Sequence, residues 1–184
     1  KIIKKIFFIL LACFIALILD SIFQYLNGTN ILNMEPVFKN RISSFFGNEL
    51  KMGGYLMRFF PFLIALSFFL YKKNLHQKYV FLFIILIFLI KVPIFLSGER
   101  TSFYLFNFSI LLFLLFLNDF KRTRIMFFLF YLLSLGLLFS IDTPFKKRMV
   151  NLTIEQMQEH NKDNYNLIFS KQYHEHYLSS WKIF

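Results

Sequence analysis

The strongest constraint on this chain is a set of long apolar runs broken only by short, basic connectors. Residues 6–23, 55–70, 79–96, 102–117 and 125–141 consist almost wholly of Leu, Ile, Phe and other apolar residues. A helix rises about 1.5 Å per residue and needs roughly 20 such residues to cross a hydrocarbon core about 30 Å thick, so each run approaches a span. The runs lack the strict alternation of barrel strands. Composition agrees, with 57% of the 184 residues hydrophobic and 29 of them Phe, well beyond the apolar share of a soluble domain. A soluble enzyme and a disordered tail are excluded. So is a disulfide scaffold, because Cys13 is the only cysteine. The predicted fold is all-α, a multi-pass transmembrane helical bundle of about five spans.

Charge orients the bundle. The formal net charge is +11. In a soluble protein that excess would point to nucleic acid; here it marks the connectors that stay on the cytoplasmic side. Lys1, Lys4 and Lys5 precede the first run, Lys72, Lys73 and Lys78 join the second to the third, and Lys121, Arg122 and Arg124 join the fourth to the fifth. Placing all of them in the cytoplasm is self-consistent. The opposite face then receives residues 24–54, the turn at 97–101 and everything after Asp142. Lys146, Lys147 and Arg148 disagree, being basic on the non-cytoplasmic side. The chain divides into a helical region, 1–141, with an outer loop at 24–54, and an outer segment, 142–184.

The start resembles a signal peptide, and Leu10-Leu11-Ala12-Cys13 loosely matches a lipoprotein cleavage box, but residues 14–19 stay apolar where a mature lipoprotein turns polar. Cys13 therefore reads as a buried core cysteine. With no initiating Met and no terminating feature at Phe184, the chain reads as a fragment.

Ionisable groups at membrane depth each cost roughly 2.5–3.5 kcal/mol on insertion scales, so each needs a partner or a purpose. Asp20 closes the first run, with Gln24 a turn later on the same face, and reads as a carboxylate reaching the water interface. Arg58 can extend to the outer interface. Lys91 and Pro93 lie in the outer half of the third run, where Pro93 removes a backbone donor and predicts a kink or unwound turn.

The sharpest constellation is Ser97-Gly98-Glu99-Arg100-Thr101-Ser102, a polar turn between two runs. Gly98 permits tight turning, and Thr101 or Ser102 can cap the next helix. Two readings stand side by side. One is a plain turn with an interfacial Glu–Arg pair. The other sets Arg100 beside a helix N-terminus, a combination suited to phosphate or pyrophosphate. The segment at 24–49 mixes Ile42, Phe45 and Phe46 with polar residues, which predicts a short interfacial or re-entrant helix with Arg41 and Glu49 facing a common cavity with Arg100.

Beyond Asp142 the chain turns polar, and Asn151-Leu152-Thr153-Ile154-Glu155 offers helix starts as well as a chance-level glycosylation sequon. His160, His174 and His176 lie among Glu155, Glu159 and Glu175. His174-Glu175-His176 supplies two metal ligands without a well-spaced third, and one of these histidines can instead serve as a general base.

Several of these stretches together resemble the O-antigen polymerase and O-antigen ligase family. They are Gln24-Tyr25 with Gly28-Thr29-Asn30-Ile31, then the run from Arg41 through Ser43-Ser44-Phe45-Phe46-Gly47-Asn48-Glu49, Gly53-Gly54-Tyr55-Leu56, Arg58-Phe59-Phe60-Pro61 and Ser97-Gly98-Glu99-Arg100-Thr101. The tail from His176 to Phe184 looks like the stretch that precedes an Asn-Pro and Gly-x-Gly segment in that family. The resemblance covers nearly the whole chain but only the middle of a typical member. One departure is Ser44, where Gly is more familiar.

The resemblance implies a multi-pass glycosyltransferase of the bacterial inner membrane, N-terminus in the cytoplasm and functional loops in the periplasm, serving lipopolysaccharide biosynthesis. Its donor is a glycan on undecaprenyl pyrophosphate. Its acceptor is another lipid-linked repeat for a polymerase or lipid A core for a ligase. The family implies no metal and no cofactor. By resemblance Arg41 and Arg100 bind the pyrophosphate, with Arg58 a weaker third. His176, or His174 one register away, acts as base or orienting group for the attacking hydroxyl. Glu49 and Glu99 position the arginines or share base work. Two alternatives belong to other classes. One is a transporter or flippase for the same lipid-linked sugars, which draws on Lys91, Pro93 and Arg58 and gives no place to His176. The other is an inactive membrane fragment.

Overall fold

A computed structural model describes residues 2–36, 38, 41–71, 77–116, 121–140, 144–155 and 178–182. Among them there is no strand, and the fold is all-helical. The chain forms two compact units, Lys1–Ile141 and Asp142–Phe184.

The first unit contains α1 (Ile2–Asn27), α2 (Met52–Tyr71), α3 (Gln77–Leu96), α4 (Arg100–Phe116) and α5 (Lys121–Ser140). Each apolar run seeds one helix, and the ends extend beyond the runs where polar residues tolerate helical geometry. Thus α1 takes in the exposed Lys4 and Lys5 at its start and Gln24 to Asn27 at its end; a lysine is tolerated at the end of an apolar helix because its long stem is apolar while its charged head can reach water. Ile2–Asn27 and Met52–Leu70 are long and apolar enough to cross a membrane, and Phe127–Ser140 with Pro144–Glu155 count as a third candidate if the two are read as one broken span. Ile84–Leu96 and Arg100–Leu115 are apolar but shorter.

α3 is the hub, packing against α1, α2, α4 and α5. That explains a helix apolar on nearly all sides: Ile87, Ile90, Ile94, Phe95 and Leu96 are all buried. Aromatic pairs lock the neighbours, with Phe60 of α2 and Phe106 of α4 at 4.6 Å between ring centroids, and Phe88 of α3 and Phe130 of α5 also at 4.6 Å. Such pairs add about 0.5–1.5 kcal/mol beyond their buried area. Outward-facing residues such as Phe8, Ile9, Leu19, Phe62 and Phe69 stay exposed, as expected of helices solvated by lipid.

Three expectations change here. Cys13 is exposed on the face of α1 rather than buried in a core. The helix stays continuous through Pro93, which sits within the last turn of α3, so of the expected kink or unwound turn the unwound turn does not form. Among the described residues between the end of α1 and Glu49, the expected interfacial helix is reduced to a single turn of 3-10 helix at Ser44–Phe46; backbone turn bonds and polar side chains hold the rest.

In the second unit the helix starts at Pro144, not at Asn151. Pro144–Lys146 passes into a π-helical turn at Lys147–Asn151, and Thr153 Oγ1 donates back to the Met149 carbonyl at 3.0 Å. Pro suits a first helical position, where its missing N–H would have had no partner.

Candidate functional site

The C-terminal ends of α1 and α3 and the N-terminal ends of α2 and α4 meet at one end of the bundle, together with the described residues between α1 and α2. Hydrogen bonds establish this. The Ile42 N–H donates to the Leu96 carbonyl at 3.0 Å, tying the segment to the end of α3. The Gly53 and Gly54 N–H groups donate to the two oxygens of Glu99, each at 2.8 Å, tying the start of α2 to the start of α4.

Glu99 is the centre of that junction. It precedes α4, and Ser102 Oγ also donates to its Oε2 at 2.8 Å. A carboxylate at a helix N-terminus satisfies amides that lack an intrahelical acceptor and complements the positive dipole end; Glu99 does this for α2 from the threshold of α4. The close approach requires glycine, since a Cβ on Gly53 would sit 2.5 Å from Ser97 Oγ. Gly98 adopts φ +66°, the left-handed geometry needed to turn from α3 into α4. The capping expected of Thr101 or Ser102 does not form, because α4 begins at Arg100 and both residues already lie inside it.

Arg41 reaches the same turn. Its Nε donates to the Ser97 carbonyl at 3.0 Å, fixing the plane of the half-buried guanidinium three residues before Arg100. Arg100 is the first residue of α4. The structure therefore brings Arg41, Glu99 and Arg100 to one turn. Arg58 lies exposed on α2. Glu49 lies exposed in an ion pair with Lys51 at 2.8 Å, engaged with that lysine and not with an arginine. An open apolar groove of about 330 Å³ lies beside the junction, lined by Cys13, Ala16, Leu17, Phe45, Phe46 and Tyr55. It is not the expected cavity lined by Arg41, Glu49 and Arg100. His160, His174 and His176 lie outside the described residues, as do Lys1, Lys72 and Lys73. Among the described residues, no three His, Cys, Asp or Glu side chains gather as a metal site.

Asp20 does not reach water. It is fully buried, its Oδ1 accepting from the Ile31 N–H at 2.8 Å and its Oδ2 from Ser44 Oγ. Every polar atom of Ser44 is engaged: its N–H donates to Gln24 Oε1 at 2.8 Å and its carbonyl accepts from Asn30 Nδ2 at 2.9 Å. Ser44 sits at φ +51°, a left-handed conformation that favours glycine. Its hydroxyl bond to a buried carboxylate offsets the cost of that conformation. This is the position where the family resemblance would have placed Gly.

Deeper in the bundle, α3, α4 and α5 share a polar network that the sequence did not disclose. Lys91 is 1% exposed; its Nζ donates to Ser134 Oγ at 2.8 Å and lies 4.2 Å from the centroid of the Tyr131 ring. Ser134 Oγ in turn donates to the Tyr131 carbonyl at 2.6 Å, and Tyr131 Oη to Asn107 Oδ1 at 2.7 Å. The available signal was the presence of uncharged polar residues within two apolar runs, Asn107 and Ser134 among them. Such residues serve as interhelical glue.

Removing the Ser134 hydroxyl deprives the buried amine of its acceptor. Ser134→Ala is expected to cost about 1–3 kcal/mol, the price of an unsatisfied buried polar group. Lys91→Met keeps the volume without the charge and is expected to change stability by about 1 kcal/mol or less. Detergent-micelle unfolding midpoints check the order; Lys91→Met proving the more damaging of the two would contradict it.

Comparison with protein-family models, curated proteins and solved structures returned no match.

Proposed function

We propose that this chain belongs to a membrane glycosyltransferase of the O-antigen polymerase or ligase type. It would transfer a glycan from undecaprenyl pyrophosphate to an acceptor sugar at the periplasmic face of a bacterial inner membrane. The observation that carries the proposal is the Arg41 Nε bond to the Ser97 carbonyl, which holds one arginine on the turn that leads into another. All five helices of the first unit are taken to cross the membrane, with the basic connectors in the cytoplasm. The junction of helix ends then faces the periplasm.

In this reaction the acceptor hydroxyl oxygen forms a bond to the anomeric carbon of the donor sugar. The bond from that carbon to the diphosphate oxygen breaks, and the hydroxyl proton passes to a base, assigned to His176 with His174 as the alternative. The departing diphosphate gathers negative charge. Arginine forks preorganised for it supply charge-assisted hydrogen bonds that strengthen as the bond breaks. Arg41 and Arg100 take this role, and Arg58 the weaker one of receiving the lipid-linked donor from the membrane side. Glu99 acts as a positioning residue through the turn that carries Arg100. Glu49, paired with Lys51, contributes to proton transfer only by exchanging that partner for the acceptor hydroxyl.

Arg41→Ala, Arg100→Ala and His176→Ala, introduced in the parent cell, are each expected to shorten the surface glycan. Loss of one preorganised donor to a developing oxyanion costs about 10²–10³ in rate, enough for single lipid-linked repeats to accumulate facing the periplasm. Normal glycan length in all three variants would refute the assignment.

A second reading, transport of the same lipid-linked sugar, draws on the buried Lys91, a cation at a depth where charge marks substrate paths. Under that reading the repeats accumulate on the cytoplasmic side, and His176→Ala has no effect.

A further inference from the structure

α1 is 26 residues long, about 39 Å at 1.5 Å per residue, against a hydrocarbon core of roughly 30 Å, so one or both ends reach the headgroup zone. Beyond Gly28 the chain does not run on outward. Ile31 donates its N–H to Asp20, which lies about two turns, or roughly 10 Å, before the helix end at Asn27. The segment therefore folds back along α1 toward the apolar layer.

Irregular backbone survives at that depth only where its polar groups are satisfied within the protein. Asn30 Oδ1 accepts from the Leu32 and Met34 N–H groups at 3.0 and 2.7 Å, and Gln24 Nε2 donates to the Met34 carbonyl at 3.3 Å. Asp20, Asn30 and Gln24 are 0%, 0% and 2% exposed. The apolar side chains of the same stretch point the other way, with Ile31 56%, Leu32 59% and Met34 44% exposed. No charged residue occurs from Tyr25 to Met34.

We propose that residues 28–34 form a wedge seated at the headgroup–acyl boundary of the bilayer, with Ile31, Leu32 and Met34 in contact with lipid. Lipid is the occupant because the wedge continues the apolar surface of α1 through the exposed Leu26, lies at interfacial depth and presents no charge to a protein partner. The inference rests on membrane insertion alone and is independent of the proposed transfer reaction.

Trp181 is the only tryptophan of this sequence; with it and every tryptophan elsewhere in the complete protein changed to Phe, a single reporter can be placed at will. The complete protein carrying Leu32→Trp with Trp181→Phe, or Ile31→Trp with Trp181→Phe as an independent check on folding, is reconstituted in phosphatidylcholine vesicles brominated either near the headgroup or near the chain terminus. Quenching about twofold stronger by the shallow label is expected for a group seated 5–10 Å into the interface. Stronger quenching by the deep label, or none by either label, overturns the proposal; in the second case access of aqueous iodide would mean that water covers the segment, and exclusion of iodide that a protein does.

Discussion

Glu99→Ala is expected to be among the most damaging single substitutions in the first unit, with a loss of about 2–4 kcal/mol. The carboxylate accepts from the Gly53 and Gly54 N–H groups and from Ser102 Oγ. Hydrogen bonds to a charged acceptor contribute about 1.5–3 kcal/mol each, and their sum is discounted because Glu99 is only half-buried and water can replace part of what is lost. Water cannot replace the tie itself. With Glu99 gone, α2 and α4 retain their apolar contact at Phe60 and Phe106 but lose the polar joint between their first turns. Glu99→Gln separates charge from shape, since its amide keeps one acceptor oxygen and turns a donor toward the other N–H; about half the loss is expected. Unfolding by denaturing detergent reads both values. A cost for Glu99→Ala within about 0.5 kcal/mol, the range of ordinary surface changes, would contradict the role given to this residue.

Asp20→Ala is expected to cost a similar amount by a different route. Asp20 is fully buried, and its removal leaves the Ser44 hydroxyl and the part-buried Ile31 N–H without their acceptor. Each orphaned group costs about 1–3 kcal/mol. The damage is local and should appear as faster hydrogen exchange at Ile31, where each 1.4 kcal/mol is about a tenfold change in protection. Asp20→Asn is expected to be mild, because its oxygen still accepts from Ile31 while the Ser44 hydroxyl rotates to accept from the new amide. Ser43→Ala is the control. The Ser43 hydroxyl is buried without a hydrogen-bond partner, and its removal should be neutral or slightly stabilising. Equal exchange at Ile31 in Asp20→Ala and wild type would show that the segment is held by something other than this carboxylate.

Much of the helical framework was legible because apolar runs leave a chain few other options. What the runs could not show is how each one ends. α4 begins at Arg100 rather than Ser102 because Glu99, a residue of low intrinsic capping preference, is stationed there by donors on another helix. The same blindness affected Asp20. Its position at the end of a run looked like access to water, yet distant residues, Ile31 and Ser44, reach back to it. Lys91 was visible as an anomaly, but its partners Ser134 and Tyr131 lie some forty residues away in sequence, and nothing local pairs them. The turn with Gly98 and Arg100 was readable from spacing. That Arg41 is bonded to it was not, since this contact depends on how the segment after α1 folds back.

The most direct test of the proposed reaction is release of undecaprenyl pyrophosphate from lipid-linked repeats by membranes containing the complete protein. The account predicts release by the wild type and a fall of about 10²-fold or more in Arg100→Ala. Arg100→Lys should also be impaired, because a lysine cannot form the planar fork that grips two phosphate oxygens. Unchanged release from Arg100→Ala membranes, or none from the wild type, would contradict it.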